Sequence, residues 1–233
     1  MKASIVNIPE FPLGKKPLVD DRLQKIQELY KAQKVTVVQV EYVSDKDVKT
    51  ADAIVCLKER KLDLVILDME VLEARLAKPL SDTEQALLRR AQESLEKEEF
   101  LNTVTWTEEE RKVLVNVNLL TLKPVVLISP QDIEDMAGLT RRVFEAAGRI
   151  VFLTGGPKDA RAWEIRRGTT AVDAAGAIHS DIARGFIRAE LMSFDDLVKA
   201  GNVHQAKASG CLRQENKEYV VQDGDVIDFK FSV

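Results

Sequence analysis

The sequence predicts an α/β fold that ends in a small β-grasp (ubiquitin-like) module, and three observations in its C-terminal third support that class. Residues 186–192 alternate apolar and polar side chains, which is typical of a half-buried strand. Asp223-Gly224 lies between two such runs and predicts a hairpin turn, because glycine tolerates a positive φ. Residues 194–201 have an apolar face and end in Gly201, so they predict one short helix.

The N-terminal two thirds alternate apolar strands with amphipathic helices, the pattern of an α/β domain. Strands are predicted at residues 2–8, 34–43, 51–57, 124–128 and 150–153. Helices are predicted at residues 19–30, 68–76 and 138–147, and residues 62–67 fit a strand or a helix.

Two charged helices are predicted between residues 81 and 119. Ser81 is an N-cap candidate, and Thr107 with Glu110 forms a capping-box pattern at the start of the second helix. The charged faces of these helices are either solvated or used to dock a partner.

Composition excludes several classes of protein. The chain has 233 residues, 45% hydrophobic and 31% charged, and a net charge of −4, so no global basic field attracts nucleic acid and any RNA contact requires a local patch. Cys56 and Cys211 are far apart, the two histidines are isolated, and no apolar run is long enough to cross a bilayer. We therefore expect a reduced, cytoplasmic protein with no metal site and no membrane contact.

The C-terminal third also resembles a known family. The residues from Trp163 to Glu190, including Arg166-Arg167-Gly168-Thr169-Thr170 and Ile178-His179-Ser180-Asp181, are similar to the TGS domain of the YchF family, the Obg-like ATPases of the translation-factor GTPase class. The resemblance is dense from Phe152 onward. It implies a reduced G-domain-like sheet at residues 1–80 and 120–149, a helical hairpin insertion at 81–119, and a TGS-like β-grasp domain at 150–233.

The phosphate-binding loop is the first departure from that family. The family has Gly, four residues, then Gly-Lys-Ser/Thr, where backbone N–H groups wrap the phosphates, the lysine reaches their oxygens and the hydroxyl binds Mg²⁺. Here Gly14-Lys15 is retained, but Pro9 occupies the position of the first glycine and Lys16 that of the hydroxyl. Proline has no N–H to donate, and lysine cannot ligate Mg²⁺. We interpret Gly14 and Lys15 as a vestigial cofactor-binding site.

The switch and base-reading motifs of the family are also altered. The segment that precedes residue 19 in the family is missing, and Ser44-Asp45-Lys46-Asp47 lacks the glycine of the family Asp-x-x-Gly. Asp45 is either a solvated turn residue or an imitation of the family aspartate. Pro130 stands where an asparagine would contact the base. The sequence therefore indicates a truncated, non-hydrolytic relative with no expected cofactor, and the alternative is residual binding of ATP or GTP with Mg²⁺ through Lys15.

The remaining candidate site is a set of basic side chains in the C-terminal third. These are Lys158, Arg161, Arg166, Arg167, Arg184 and Arg188. By resemblance their partner is RNA, the ribosome or a regulatory protein, although acids are equally frequent here and a solvated mixed-charge surface is the alternative. His179 is expected to make a structural hydrogen bond. The identity of the partner and the oligomeric state are left open.

Overall fold

A computed structural model describes residues 1–232 and gives a mixed α/β fold with two sheets and two compact units. The first unit contains Met1–Lys16 and Val40–Ala147, and the second contains Pro17–Gln39 together with the chain from Gly148 onward.

The strands are β1 (Lys2–Val6), β2 (Gly14–Pro17), β3 (Lys34–Thr36), β4 (Gln39–Val43), β5 (Ala53–Leu57), β6 (Val125–Ile128), β7 (Arg149–Gly155), β8 (Asp159–Arg166), β9 (Phe186–Ser193), β10 (Arg213–Glu215) and β11 (Asp225–Phe231). The helices are α1 (Asp21–Tyr30), α2 (Lys61–Leu76), α3 (Asp82–Glu96), α4 (Glu108–Val117), α5 (Met136–Ala146), α6 (Ala171–Ile178), α7 (Ser180–Arg184), α8 (Phe194–Ala200) and α9 (Val203–Ala208).

The first unit is built on a sheet of order β2-β4-β1-β5-β6, in which β4, β1, β5 and β6 are parallel. Parallel strands are buried on both faces, so their sequences are continuously apolar, as Ile54, Val55 and Cys56 are here. Leu64 of α2 packs against one face, and the Tyr42 hydroxyl lies 3.2 Å from Oγ1 of Thr140 on α5.

Helices α2, α3 and α4 share one hydrophobic cluster in the first unit, which includes Leu72, Leu88, Leu95 and Leu114. Asp68 of α2 is fully buried beside this cluster. Its carboxylate accepts hydrogen bonds from the N–H groups of Leu120 and Thr121 and from the Thr121 hydroxyl, at 2.6–2.7 Å. Desolvation by burial raises the pKa of Asp68, and those hydrogen bonds to the carboxylate offset only part of that increase.

The second unit is a six-stranded mixed sheet of order β10-β9-β11-β7-β8-β3. Strands β7 and β8 are antiparallel neighbours, and β11 runs parallel to β7 and antiparallel to β9. One face carries Phe152, Ile165, Leu191 and Phe229, which pack against the alanines of α6. The opposite face carries Leu153, Ala160 and Ala162 and is covered by α1 over β7 and β8.

Two glycines of the C-terminal segment make room for side chains of α1. A Cβ at Gly155 would lie 2.4 Å from the Tyr30 ring, and a Cβ at Gly224 would lie 2.5 Å from the Arg22 guanidinium. Arg22 also pairs with Asp223 at 2.8 Å. Both ends of α1 are therefore fixed to the C-terminal segment, and β3 extends the same sheet by pairing with β8.

The structure divides the chain differently from the sequence-based domain boundaries at residues 17–39. These residues were expected with the G-like domain, but they belong to the second unit because Leu23 and Ile26 bury the apolar face of α1 there. The single strand predicted at 34–43 is also wrong. It is interrupted at Val37 and Val38, so that β3 joins the second sheet and β4 the first.

The hairpin predicted around Asp223-Gly224 is wrong as well, although Gly224 does have a positive φ of 85°. Residues 218–221 pair beside Thr169 and Thr170 rather than with β11, since the Val221 N–H donates to the Thr169 carbonyl at 3.0 Å. The capping predictions are confirmed. Ser81 caps α3, and Thr107 forms a capping box with Glu110.

The contact between Tyr30 and Gly155 yields a stability prediction. Gly155→Ala should destabilise the second unit by about 1–3 kcal/mol, because the methyl group would displace the Tyr30 ring. In a Tyr30→Ala background the same substitution should cost much less, since the space is vacated. The measurement is urea unfolding followed by Trp163 fluorescence in a Trp106→Phe chain.

Gly156→Ala is the matched control, because a Cβ there would meet only the Asp159 carbonyl at 4.0 Å. Equal losses for the two glycine substitutions would contradict the assignment of α1 to this unit.

Candidate functional site

The carboxyl edge of the first sheet is the position where open parallel sheets bind ligands. Strands β1, β5 and β6 end there at Val6, Leu57 and Ile128. The side chains that follow these strands decide which ligand the edge could hold.

The segment after β1 leaves the edge of the sheet and does not enter a helix. Asn7 has a positive φ of 57°, and its amide donates to Oδ2 of Asp63 at 2.8 Å. Phe11 is buried with its ring centroid 5.0 Å from that of Tyr42. These contacts direct the chain into β2.

Gly14 and Lys15 lie in β2, at the edge of the sheet. Strand β4 separates them from β1, which places them about 10 Å to the side of the β1 strand axis. Gly14 has a φ of 103°, and the Lys15 side chain is exposed. The glycine and lysine are therefore part of a strand and not of a turn that opens a helix.

The polar groups after β6 bond to one another. Pro130 begins a short 3₁₀ turn, Ser129 and Asp132 form its capping box, and Arg142 pairs with Asp132. The hydrogen bond from the Ser129 N–H lowers the pKa of Asp132 to about 2, so this carboxylate stays charged. Asp45, after β4, is exposed in another 3₁₀ turn.

Residues 1–232 contain no group of three or more His, Cys, Asp or Glu side chains arranged to hold a metal ion. Within the same residues, no helix is both long and apolar enough to cross a membrane.

The six basic residues predicted as a partner-binding site are spread over the second unit. Lys158 lies in the turn before β8, and Arg166 and Arg167 lie at the opposite end of that strand. Arg161 projects from the α6 side of the sheet, whereas Arg188 projects from the other side. The sheet therefore does not bring all six together.

Arg161 and Arg184 both have local contacts. The Arg161 guanidinium stacks on Trp163 at 3.8 Å from the ring centroid, and the Trp163 indole N–H donates to Thr154. Arg184 pairs with Asp181 at 2.7 Å and remains largely exposed.

Arg188 belongs to a charged cluster that sequence analysis did not identify as a unit. It consists of Arg188 and Glu190 on β9 with Asp228 and Lys230 on β11. Arg188 lies 2.8 Å from Glu190, and Lys230 lies 3.7 Å from Glu190 and 2.5 Å from Asp228. The hydrogen bond from Arg188 lowers the pKa of Glu190. Alternation along each strand puts both pairs on one face, which is the signal that could have revealed the cluster.

The structural role predicted for His179 is confirmed. Its Nδ1 atom accepts a hydrogen bond from the Asp181 N–H at 3.1 Å and caps α7. His204 is exposed and lies in α9.

Comparisons with known proteins show which family and which relatives the chain is similar to. Residues 150–232 match the family model described as "YchF-GTPase_C: Protein of unknown function (DUF933)". The chain is 29% identical over 237 residues to the "Ribosome-binding ATPase YchF" of Bacillus subtilis, which covers 74% of this chain and 65% of that protein. It is 56% identical over 90 residues to the "Obg-like ATPase 1" of Oryza sativa subsp. japonica, covering 39% of this chain and 23% of the relative.

The chain therefore spans about two thirds of the length of the bacterial relative and less than a quarter of the rice one. The fold is similar to the Schizosaccharomyces pombe YchF GTPase structure, with a TM-score of 0.81, 18% identity, and coverage of 99% of this chain and 97% of that chain. That structural match concerns the fold alone.

The lowered pKa of Glu190 predicts an acid-sensitive stabilisation of the second unit. Because the folded pKa lies below the unfolded value, the stabilisation is present above the ordinary glutamate pKa of 4.5 and is lost as the pH falls through the lowered value. Glu190→Gln should lower the melting temperature near neutral pH and reduce its further drop toward about pH 3. Thermal unfolding of the Trp106→Phe chain, followed by Trp163 fluorescence, measures both effects. Glu218→Gln, on the surface, should change neither, and an unaltered pH profile for Glu190→Gln would contradict the assignment.

Proposed function

Because the chain belongs to the family of YchF and the Obg-like ATPases, we propose that it is a non-hydrolytic relative whose second unit acts as a TGS-like binding module. The ribosome is the partner we favour, since the Bacillus subtilis relative is named a ribosome-binding ATPase. RNA alone or a regulatory protein are the other partners that the experiments below distinguish.

The topology of the second unit supports a β-grasp assignment. A hairpin of β7 and β8 is followed by α6, and the last strand, β11, runs parallel to β7 between the hairpin and β9. A helix held across a sheet whose first and last strands are parallel neighbours is the arrangement that gives the β-grasp its name. The family-model match at 150–232 covers the same segment.

The parallel strands of the first unit support its assignment as a reduced G-domain-like sheet. We propose in addition that this sheet has no working nucleotide site. The observation that carries this proposal is that Gly14 and Lys15 lie in β2, one strand removed from β1. A phosphate-binding loop needs consecutive N–H groups at the end of the first strand, a lysine on the phosphates and a hydroxyl on Mg²⁺. The residues here do not fit MgATP or MgGTP, because Pro9 lacks the N–H and Lys16 replaces the hydroxyl.

Calorimetry with MgATP and MgGTP at millimolar concentration tests the loss of nucleotide binding. We expect no binding tighter than a Kd of about 100 µM. Lys15→Ala and the neighbouring Lys16→Ala, which removes the same charge, should behave like the unaltered chain. A Kd below that limit that is abolished by Lys15→Ala and retained in Lys16→Ala would refute the proposal and favour the residual nucleotide-binding alternative.

Co-sedimentation with purified ribosomes at increasing salt tests the binding module. We expect binding that weakens with salt, because contacts to RNA phosphates release counterions. Arg166→Ala with Arg167→Ala should weaken binding and reduce the slope of log K against log salt by about 0.7–0.9 per lost phosphate contact. Arg89→Ala, in the first unit, is the control for loss of charge.

Two results would change the identity of the partner. Binding to protein-free ribosomal RNA that equals binding to ribosomes would assign RNA as the partner. If the chain with all arginines intact associates with neither ribosomes nor RNA at low salt, both are excluded as partners and a regulatory protein remains.

A further inference from the structure

The outer face of α2 carries an exposed apolar patch with a carboxylate at its centre. Leu62, Ile66, Leu67 and Val71 are 47%, 55%, 41% and 39% exposed, unusually high for four large aliphatic side chains on one helix. Because residues three and four apart are neighbours on a helix, Glu70 is flanked by Ile66 and Leu67 one turn earlier and followed by Glu73 and Ala74 one turn later.

The patch is acidic as well as apolar. Residues 62–74 contain no lysine or arginine, and both Glu70 and Glu73 are exposed. The other acid toward this side, Asp63, bonds to Asn7 and lies 3.6 Å from Arg60. The charge that this face offers to a partner is therefore negative.

The opposite face of α2 is held firmly in the first unit. Leu64, Val65 and Leu72 are buried, and Asp68 makes its three hydrogen bonds to residues 120 and 121. The patch is consequently presented in a fixed conformation, which lowers the entropic cost of binding. Val71 and Ala74 also line a groove of about 610 Å³ with Val113 and Val117 of α4. Arg75, which pairs with Glu84, and Lys78 line the same groove, so the acidic surface that a basic partner would meet is the stretch from Leu62 to Ala74 and not the groove.

We propose that this face of α2 docks a basic amphipathic helix of a protein partner. Lysine and arginine have aliphatic stems that can cover Ile66 and Leu67 while their charged ends reach Glu70. Leu62 to Ala74 spans about 18 Å, which matches roughly three turns of a partner helix. A second copy of this chain would bring Glu70 and Glu73 against like charges, and RNA would bring phosphates against them, so neither fits this face as well.

A designed peptide tests the chemistry of the site. The probe is a fluorescein-labelled helical peptide of about 18 residues with leucine on one face and lysine on the other, and its control carries glutamate in place of lysine. Fluorescence anisotropy with the full chain should show the lysine peptide binding at least about tenfold more tightly than the glutamate peptide.

Matched variants separate this site from general attraction to an acidic protein. Glu70→Lys should weaken binding of the lysine peptide by about tenfold, whereas Glu93→Lys, which makes the same charge change on α3, should weaken it by less than about twofold. Ile66→Ser should weaken binding by about fivefold, and Ile187→Ser, at an equally exposed position on β9, should have no effect. Unchanged melting temperatures verify that each variant is folded.

Several outcomes would overturn the proposal. Equal effects of Glu70→Lys and Glu93→Lys would mean that net charge alone attracts the peptide. Self-association in sedimentation velocity that Ile66→Ser abolishes would assign the face to a second copy. Binding of a fluorescein-labelled single-stranded RNA oligonucleotide to the chain in the absence of peptide, abolished by Ile66→Ser, would assign the face to nucleic acid.

Discussion

The second unit depends on the contact between α1 and a segment more than 110 residues later in the chain. Tyr30 lies against Gly155, and Arg22 bridges to Asp223 beside Gly224. Without α1, the face formed by Leu153, Ala160 and Ala162 would be exposed to water, and the hydrophobic stabilisation from burying that face would be lost. The matching family model covers residues 150–232 and so omits this layer.

The segment that contains α1 also connects two neighbouring strands of the first sheet. Strands β1 and β4 are paired in parallel register, Lys2 opposite Glu41, although more than 30 residues separate them. A parallel pair needs a crossover connection, and here the connection contains α1 and β3 of the second unit. Residues 17–39 therefore connect two neighbouring strands of one sheet and provide a helix and a strand to another.

The sequence predicted the positions of helices and strands more accurately than it predicted which strands pair with one another. Apolar periodicity and capping residues are local, so the helices that begin after Ser81 and Thr107 appear where expected. Residues 62–67 stayed ambiguous because their apolar run fits a strand as well as a buried helix, and tertiary contacts of Leu64 decide for the helix. No local signal marks the break of the strand predicted at 34–43, because Val37 and Val38 both favour a strand. The strand is interrupted there because β3 pairs in the second sheet and β4 in the first.

Long-range contacts of the candidate site were equally hard to predict from local sequence patterns. Which arginines are present is evident from the sequence, but the charged cluster around Arg188 is not, because Lys230 reaches Glu190, the partner of Arg188, only through the pairing of β9 with β11. The Asp223-Gly224 turn was recognised from its glycine, yet Asp223 uses its side chain to accept from the Val151 N–H, a contact across 72 residues. A turn signal predicts the local φ and cannot predict which strand receives the chain.

Local pairing changes how the basic surface can act. A phosphate approaching Arg184 or Arg188 must compete with a carboxylate already within 2.8 Å, and Arg161 is stacked on Trp163. Exposed ion pairs are weak, so these arginines can leave their carboxylates for a phosphate. Loss of the existing ion pair then offsets part of the binding energy of the new contact. Lys158 and Arg167 lie at opposite ends of β8, so a single small anion cannot contact both. Only an extended ligand can contact both ends of this strand, as the proposal of a ribosomal partner requires.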